Sequence, residues 1–217
     1  MATITAQGLR SALCFIAERV QNEEGWLNSL DAAIGDGDHG ITMRIGFQAI
    51  QSRVSMLPAD SDLGVTLGEA GRAFMGATGG AIGVILGKML ASGKVVLRDR
   101  VTLGPAEMAE WLRVMGTTVA NAGKCKPGDK TILDSVHAAA ESASHSLAAG
   151  GELIEVTRQA ASAAETAAQD TANMICKVGR ASRLGERSLG HPDPGAVSFA
   201  VILTALADWM EQSAQRD

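Results

Sequence analysis

A chain of 217 residues with a net charge of −5 holds one large domain or two small ones. With no Lys/Arg-rich run, it is poorly suited to nucleic acid. Hydrophobic residues make up 46% but aromatics only 3%, and Tyr is absent, so the core must be built from Ala, Leu, Ile, Val and Met, which favours close-packed helices over strands.

The N-terminal MATITAQGLR has no apolar signal core, and Thr5 is placed to cap a first helix that buries Leu9, Leu13, Ile16 and Val20. Gly25 is expected to break it, and WLNSLDAAIG leads into a polar segment at residues 31–42. Ile41, Ile45, Ala49, Val54 and Leu57 mark a second long helix ending near Pro58. Leu63, Leu67, Ala70 and Phe74 mark a third. GATGGAIGVILGKML, residues 76–90, reads as a Gly-rich turn opening a helix. VILGKML and KVVLRDRV are the best strand candidates, both short. Pro105 fits the first turn of a helix carrying Met108, Trp111, Leu112, Met115 and Val119. KCKPGDKTILDS, 124–135, is a turn before another helix start, with Asp129 or Thr131 as its cap. The Ala-rich 137–172 region holds two helices parted at Ala149-Gly150-Gly151. GRASRLGERSLGHPDPG, 179–195, reads as a long polar loop, and a last helix from near Pro194 carries Val197, Val201, Leu203, Leu206 and Trp209. Cys14, Cys125 and Cys176 are widely spaced with no CxxC, and read as buried thiols in a reducing cytoplasm. No run approaches the ~18 apolar residues of a membrane span.

The sum is one all-α domain over 1–217, a bundle or closed ring of about eight antiparallel helices. In such a ring alternate connections fall at one end, so segments 31–42, 76–83, 123–131 and 179–195 are expected to share a rim. Asp31, Asp36 and Asp38 repel one another unless a cation lies among them, and all-oxygen ligands suit a hard ion, Mg²⁺ or Ca²⁺. An EF-hand fails, because counting from Asp36 the sixth and twelfth positions are Ile41 and Phe47. The alternative is a solvated loop with Asp as helix cap. His39 is a catalytic group, a ligand or a hydrogen-bonded turn residue. The 76–83 turn either brings main-chain N–H groups to a phosphate or packs helices closely. A P-loop is excluded by Ile82 and Met89, where it needs Gly and Ser or Thr. Arg180, Arg183 and Arg187 either meet phosphate or pair with carboxylates such as Glu186. Carboxylates for Mg²⁺, glycines for phosphate and arginine for charge together are the parts of a phosphoryl-transfer site.

Four segments carry a resemblance that covers essentially the whole chain: DAAIGDGDHG (31–40), GGAIG (79–83), PGDKTILD (127–134) and GRASRLGERSLGHPDPGA (179–196). Together they resemble the L-subunit of dihydroxyacetone kinase, also found as the C-terminal domain of single-chain kinases. The resemblance implies a barrel of eight antiparallel amphipathic helices with ADP or ATP and two Mg²⁺ at one end. It implies that Asp31, Asp36 and Asp38 chelate both ions, and that His39, Gly40, Ile41 and Thr42 contact the nucleotide. It further implies that Ala81 and Ile82 form the phosphate turn and that Gly123 and Ile132 flank the base. Arg180 lies on the phosphate side as the catalytic arginine, and Asp193, Pro194 and Gly195 make a further nucleotide contact. The ketose is held by a separate K-subunit, so this chain supplies half an active site in the cytoplasm. Phosphate comes from exchanging ATP or, through a phosphotransferase-system M-subunit, by rephosphorylation of a resident ADP. A four-carbon ketose kinase and a non-catalytic regulatory paralogue are the alternatives. Neither a membrane nor nucleic acid is an expected partner.

Three positions depart from the family pattern. Ile82 replaces the serine of GGASG, Thr42 replaces an asparagine, and Arg183 replaces a tyrosine.

Overall fold

Thr5 begins the helical architecture as expected: its hydroxyl accepts the Gly8 N–H at 3.1 Å and starts α1 (Ala6–Asn22). The computed structural model describes residues 3–216. The further helices are α2 (Glu24–Ile34), α3 (His39–Ser55), α4 (Leu63–Ala77), α5 (Gly80–Ala91), α6 (Gly93–Val96), α7 (Pro105–Gly123), α8 (Ile132–Ala148), α9 (Leu153–Asp170) and α10 (Pro194–Ala214). Eight of them close a ring. In order, α1 packs on α3, then α4, α5, α7, α8, α9 and α10, which returns to α1. The short α2 and α6 sit in corners of that ring, which accounts for ten helices where about eight were expected.

Short connections make ring neighbours antiparallel. One rim therefore collects the C-terminal ends of α2, α4, α7 and α9 and the N-terminal ends of α3, α5, α8 and α10. The opposite end is closed by a two-residue antiparallel ladder of β1 (Ile4–Thr5) on β2 (Thr102–Leu103), with Ile4 opposite Leu103. Inside the ring, aliphatic side chains and alanines from all eight helices form one core. Its largest aromatic contact is edge-to-face, Phe47 on Phe74, with centroids 5.8 Å apart. An outer clamp ties three helices together: Asp208 of α10 accepts from Arg19 of α1 at 3.0 Å and Arg158 of α9 at 2.8 Å.

Three details differ from the sequence reading. Gly25 lies inside α2; the break falls at Glu23, where α1 already ends. In α3 the buried face is Met43, Phe47, Ile50 and Val54, while Ile41 and Ile45 are exposed. The turn of the helix at its N-terminus is set by Gly40 against α2, which no apolar count registers. The Gly-rich turn opens a helix, α5, as read, so VILGKML and the start of KVVLRDRV are helical and not strands, and Gly87 lets α5 approach α4 closely. Most of the 179–195 segment is a 3₁₀ stretch, Arg180–Ser188, kinked at Gly185. Cys176 is buried and free; Cys14 and Cys125 are half-buried and free.

The close α4–α5 approach yields a prediction. A Cβ on Gly71 would collide with the Gly87 carbonyl, whereas one on Gly76, in the same helix, meets nothing within 4 Å. Gly71→Ala is expected to destabilise the fold by about 1–3 kcal/mol. Gly76→Ala is expected to be stabilising by about 0.4–1 kcal/mol. Denaturant titration of both variants reads the difference.

Candidate phosphate and metal site

The expected rim exists. Asp31, Asp36, Asp38, His39 and Thr42 line a cleft of about 480 Å³ together with Gly79, Gly80, Ala81, Ile82 and Arg180. A smaller adjoining cleft of about 190 Å³ is shared by Asp31, Asp36 and Arg180 with Lys130, Thr131, Cys176, Gly179, Asp193 and Pro194. Arg180 pairs with Asp36 on the boundary between the two.

The acidic cluster is built by local backbone geometry. Asp31 stands in the last turn of α2, and its Oδ2 accepts the N–H groups of Gly37 (2.8 Å) and Asp38 (3.2 Å). That folding-back requires glycine twice. A Cβ at Gly35 would collide with Asp31 Oδ1, and Gly37 takes a φ of +78°. Gly40 then presses α3 against the Glu24 carbonyl of α2, and Asn28 accepts the Ile41 N–H at 3.1 Å. As a result one oxygen from each of Asp31, Asp36 and Asp38 lies within 4.8 Å of the others.

Electrostatics distinguish the three. Asp38 is pushed up from its ordinary value, first by burial and then by the charges of Asp36 and Asp31. At Asp36 burial acts upward too, but the Arg180 guanidinium outweighs it and the carboxyl lies below the usual range. Repulsion within the cluster is thus only partly relieved by Arg180. The donor set, exposed carboxylate oxygens with no sulfur and no free imidazole, fits a hard divalent cation. His39 does not join it. Its ring is buried, Nε2 lies 2.7 Å from Ser198 Oγ, and burial pushes its pKa down, so it ties α3 to α10.

Four helix N-termini meet at this rim, and they divide into two kinds. Thr131 caps α8 through the Leu133 N–H, and Asp193 caps α10 through the Ala196 N–H at 2.7 Å. Asp38 and Gly79, at the starts of α3 and α5, make no side-chain cap. The two open ends are those that border the acidic cleft. Asn28 takes the Ile41 N–H of α3, and the positive ends of the two helices face the cleft, which suits a polyanion such as a phosphate chain. Ile82 packs partly against the core, so this turn can offer an anion main-chain groups but no hydroxyl.

The structure brings together Asp31, Asp36, Asp38, His39, Thr42, Ala81, Ile82 and Arg180 in the larger cleft, and Asp193 and Pro194 in the smaller. Gly40 and Ile41 border the cluster through their backbones. Gly123, Ile132 and Gly195 are in neither lining. Ile132 is buried behind Gly195, and Gly123 lies beside Cys125 and Ile85. Arg183 and Arg187 are exposed and form no ion pair among the described residues; Glu186 is not their partner. The residues that the motif reading passed over are Gly35, Asn28 and Lys130. The signal for Lys130 is a lysine directly after Pro127-Gly128-Asp129 and just before the Thr131 cap.

Comparison with known proteins bears on the family and the fold. The family model of the DAK2 domain matches residues 33–208. The chain is 36% identical over 85% of its length to the PEP-dependent dihydroxyacetone kinase, ADP-binding subunit DhaL, of Escherichia coli, and that match takes in 88% of the subunit. It is 38% identical to L-erythrulose kinase of Pectobacterium atrosepticum over 83% of this chain, but spans only 31% of that enzyme. The dihydroxyacetone kinase of C. freundii superposes on 92% of this chain with a TM-score of 0.72 and 26% identity, again over about a third (34%) of its own length. A structure of the same enzyme in complex with AMP-PNP and Mg²⁺ superposes with a TM-score of 0.68.

Asp193 provides a test of the rim itself. Enclosure pushes its carboxyl up to about 7, against the stabilising Ala196 N–H and the charge of Lys130. A raised folded-state pKa means that the native state holds a proton the unfolded chain has lost. This contribution is therefore present at low pH and declines as pH rises toward 7. Asp193→Asn keeps a capping oxygen and removes the titration. Its melting temperature relative to the wild type is expected to rise between pH 5 and pH 8, and a constant difference would refute the assignment.

Proposed function

The chain belongs to the DAK2 domain family, and from that premise we propose that it is the nucleotide- and Mg²⁺-binding half of a ketose kinase. The observation that carries this is the juxtaposition of three carboxylates with the N-termini of α3 and α5, neither capped by its own N-cap side chain, in one cleft. Carboxylates alone attract cations and helix N-termini alone attract anions. A site that does both at once suits a metal–phosphate complex.

In this reading Asp31, Asp36 and Asp38 hold two Mg²⁺, and the Gly79–Ile82 turn with Thr42 receives the phosphates of ADP or ATP. Mg²⁺ supplies neutralisation of phosphate charge. His39 keeps α3 in place, and the smaller cleft with Asp193 and Pro194, with Gly195, Ile132 and Gly123 behind its wall, accommodates the rest of the nucleotide. Arg180, the one guanidinium in the cleft walls, stabilises charge on the phosphoryl group in transfer. Residues 1–217 act as one such domain, in the cytoplasm. Among the described residues no helix is long and apolar enough to cross a membrane.

The ketose is assigned to a partner K-subunit, because Lys130 and Cys176, the amine and thiol in the cleft walls, are buried and Lys130 is already held by two main-chain carbonyls. Exposed apolar side chains near the rim, Trp26 of α2, Ile41 and Ile45 of α3 and Val84 of α5, support a protein partner there. Relatives that are PEP-dependent subunits and relatives that are erythrulose kinases leave two phosphate routes, an M-subunit donor or exchanging ATP. The 38% identity to L-erythrulose kinase supports a four-carbon ketose as the second reading for substrate.

Reconstitution tests the proposal. With Mg²⁺, a cognate K-subunit and either ATP or ADP rephosphorylated through an M-subunit, the protein is expected to phosphorylate dihydroxyacetone or erythrulose, and without the K-subunit neither. Arg180→Ala should lower turnover by roughly 10²-fold, as for the loss of one strong electrostatic donor, with nucleotide affinity little changed. Ketose phosphorylation by the isolated chain, or wild-type turnover in Arg180→Ala, would overturn it.

A further inference from the structure

Lys130 forms part of the smaller cleft and has no role in the reading above. Its side chain is fully buried, and its backbone takes a φ of 60°, a left-handed conformation that a side chain larger than glycine rarely adopts. Its ammonium donates to two main-chain carbonyls, Met174 at 3.1 Å and Ser188 at 2.5 Å. A buried cation and a strained backbone at one residue are retained only where the surroundings demand them. A glycine or asparagine would satisfy the turn; only a long cationic side chain reaches both carbonyls.

Those two carbonyls belong to the two ends of the segment that carries Arg180. Other bonds gather the same neck. Ser188 Oγ accepts the Cys176 N–H at 3.0 Å and donates to the Gly185 carbonyl at 2.7 Å. The Lys177 N–H donates to the Asp129 carbonyl at 3.1 Å, and the Gly190 N–H to the Ala172 carbonyl at 2.8 Å. Beyond the neck the loop has little other anchorage: Arg180 is largely exposed, and its one ion pair is with Asp36. We propose that Lys130 is a positioning residue whose buried ammonium clamps the two ends of the 174–188 loop and so holds Arg180 against the Asp31–Asp36–Asp38 cluster.

Amide hydrogen exchange tests the clamp without any nucleotide or partner. In Lys130→Met the amides of residues 176–188 are expected to exchange about tenfold faster or more, since hydrogen bonds from a charged donor are lost, while core amides of α1 and α8 change by less than about twofold. Unchanged exchange in the loop would overturn the proposal. If Lys130→Met does not fold, Lys130→Gln, which keeps one donor group, takes its place. Unfolding of both would make Lys130 a general scaffold residue and overturn the proposal too. A second arm rests on the kinase reading. If Lys130 acts through Arg180, the Lys130→Met/Arg180→Ala double variant should turn over within about twofold of Arg180→Ala alone. Losses that multiply would contradict it. Absence of wild-type turnover would count against the kinase reading, and the exchange result would still decide the clamp.

Discussion

Three carboxylates held within 4.8 Å of one another are the constraint around which this end of the molecule is organised. Their mutual repulsion opposes folding, and the protein answers it with backbone. Asp31 is drawn back onto the N–H groups of Gly37 and Asp38, Gly35 leaves space for its second oxygen, and Asp36 is paired with Arg180. The helix ring brings four positive N-terminal ends to the same rim. Two are neutralised by their own caps, Thr131 and Asp193, and two, those of α3 and α5, have no cap of their own beside the carboxylates. The site is thus strongly polar in both senses, able to take cation and anion together.

Arg180 depends on a structure of its own. The loop that carries it crosses from the end of α9 to the start of α10 without an α-helix, and its ends are gathered by main-chain bonds, the Ser188 hydroxyl and the Lys130 ammonium. The departures from the family pattern bear on the same cleft. Ile82 turns its side chain toward the core, so the α5 turn relies on N–H groups alone. Arg183 is exposed on the loop and adds positive charge to its surface without an internal partner among the described residues.

Much of this was legible in the sequence. The ring helices were marked by apolar periodicity where one face alone is buried, as in Leu9, Leu13, Ile16 and Val20, or Met108, Trp111, Leu112 and Met115. The acidic cluster was legible because its members lie within eight residues. Periodicity failed in α3, where exposed Ile41 and Ile45 imitate a core stripe and the true face contains Gly46, placed where a Cβ would strike Phe74. In α5 the short apolar run alone does not distinguish a strand from a buried helix, and the Gly-rich turn before it marked the helix. Lys130 was hidden for another reason: its two partners, 44 and 58 residues away, are carbonyls, and carbonyls leave no trace in a sequence. Gly123 and Ile132 were placed by resemblance alone, and in the structure they stand behind the cleft rather than in its wall.

The central claim is that cation and phosphate share one site and complete each other. Thermal melts with Mg²⁺ alone, ADP alone and both together test it most directly. The account predicts small shifts for either alone and a large joint shift, roughly 2.7 kcal/mol of added stability when the joint ligand is at about 100 times its dissociation constant. It also predicts that Asp36→Asn loses the joint shift while keeping the unliganded melt. A shift with Mg²⁺ alone equal to that with both, or an ADP shift indifferent to Mg²⁺, would contradict it.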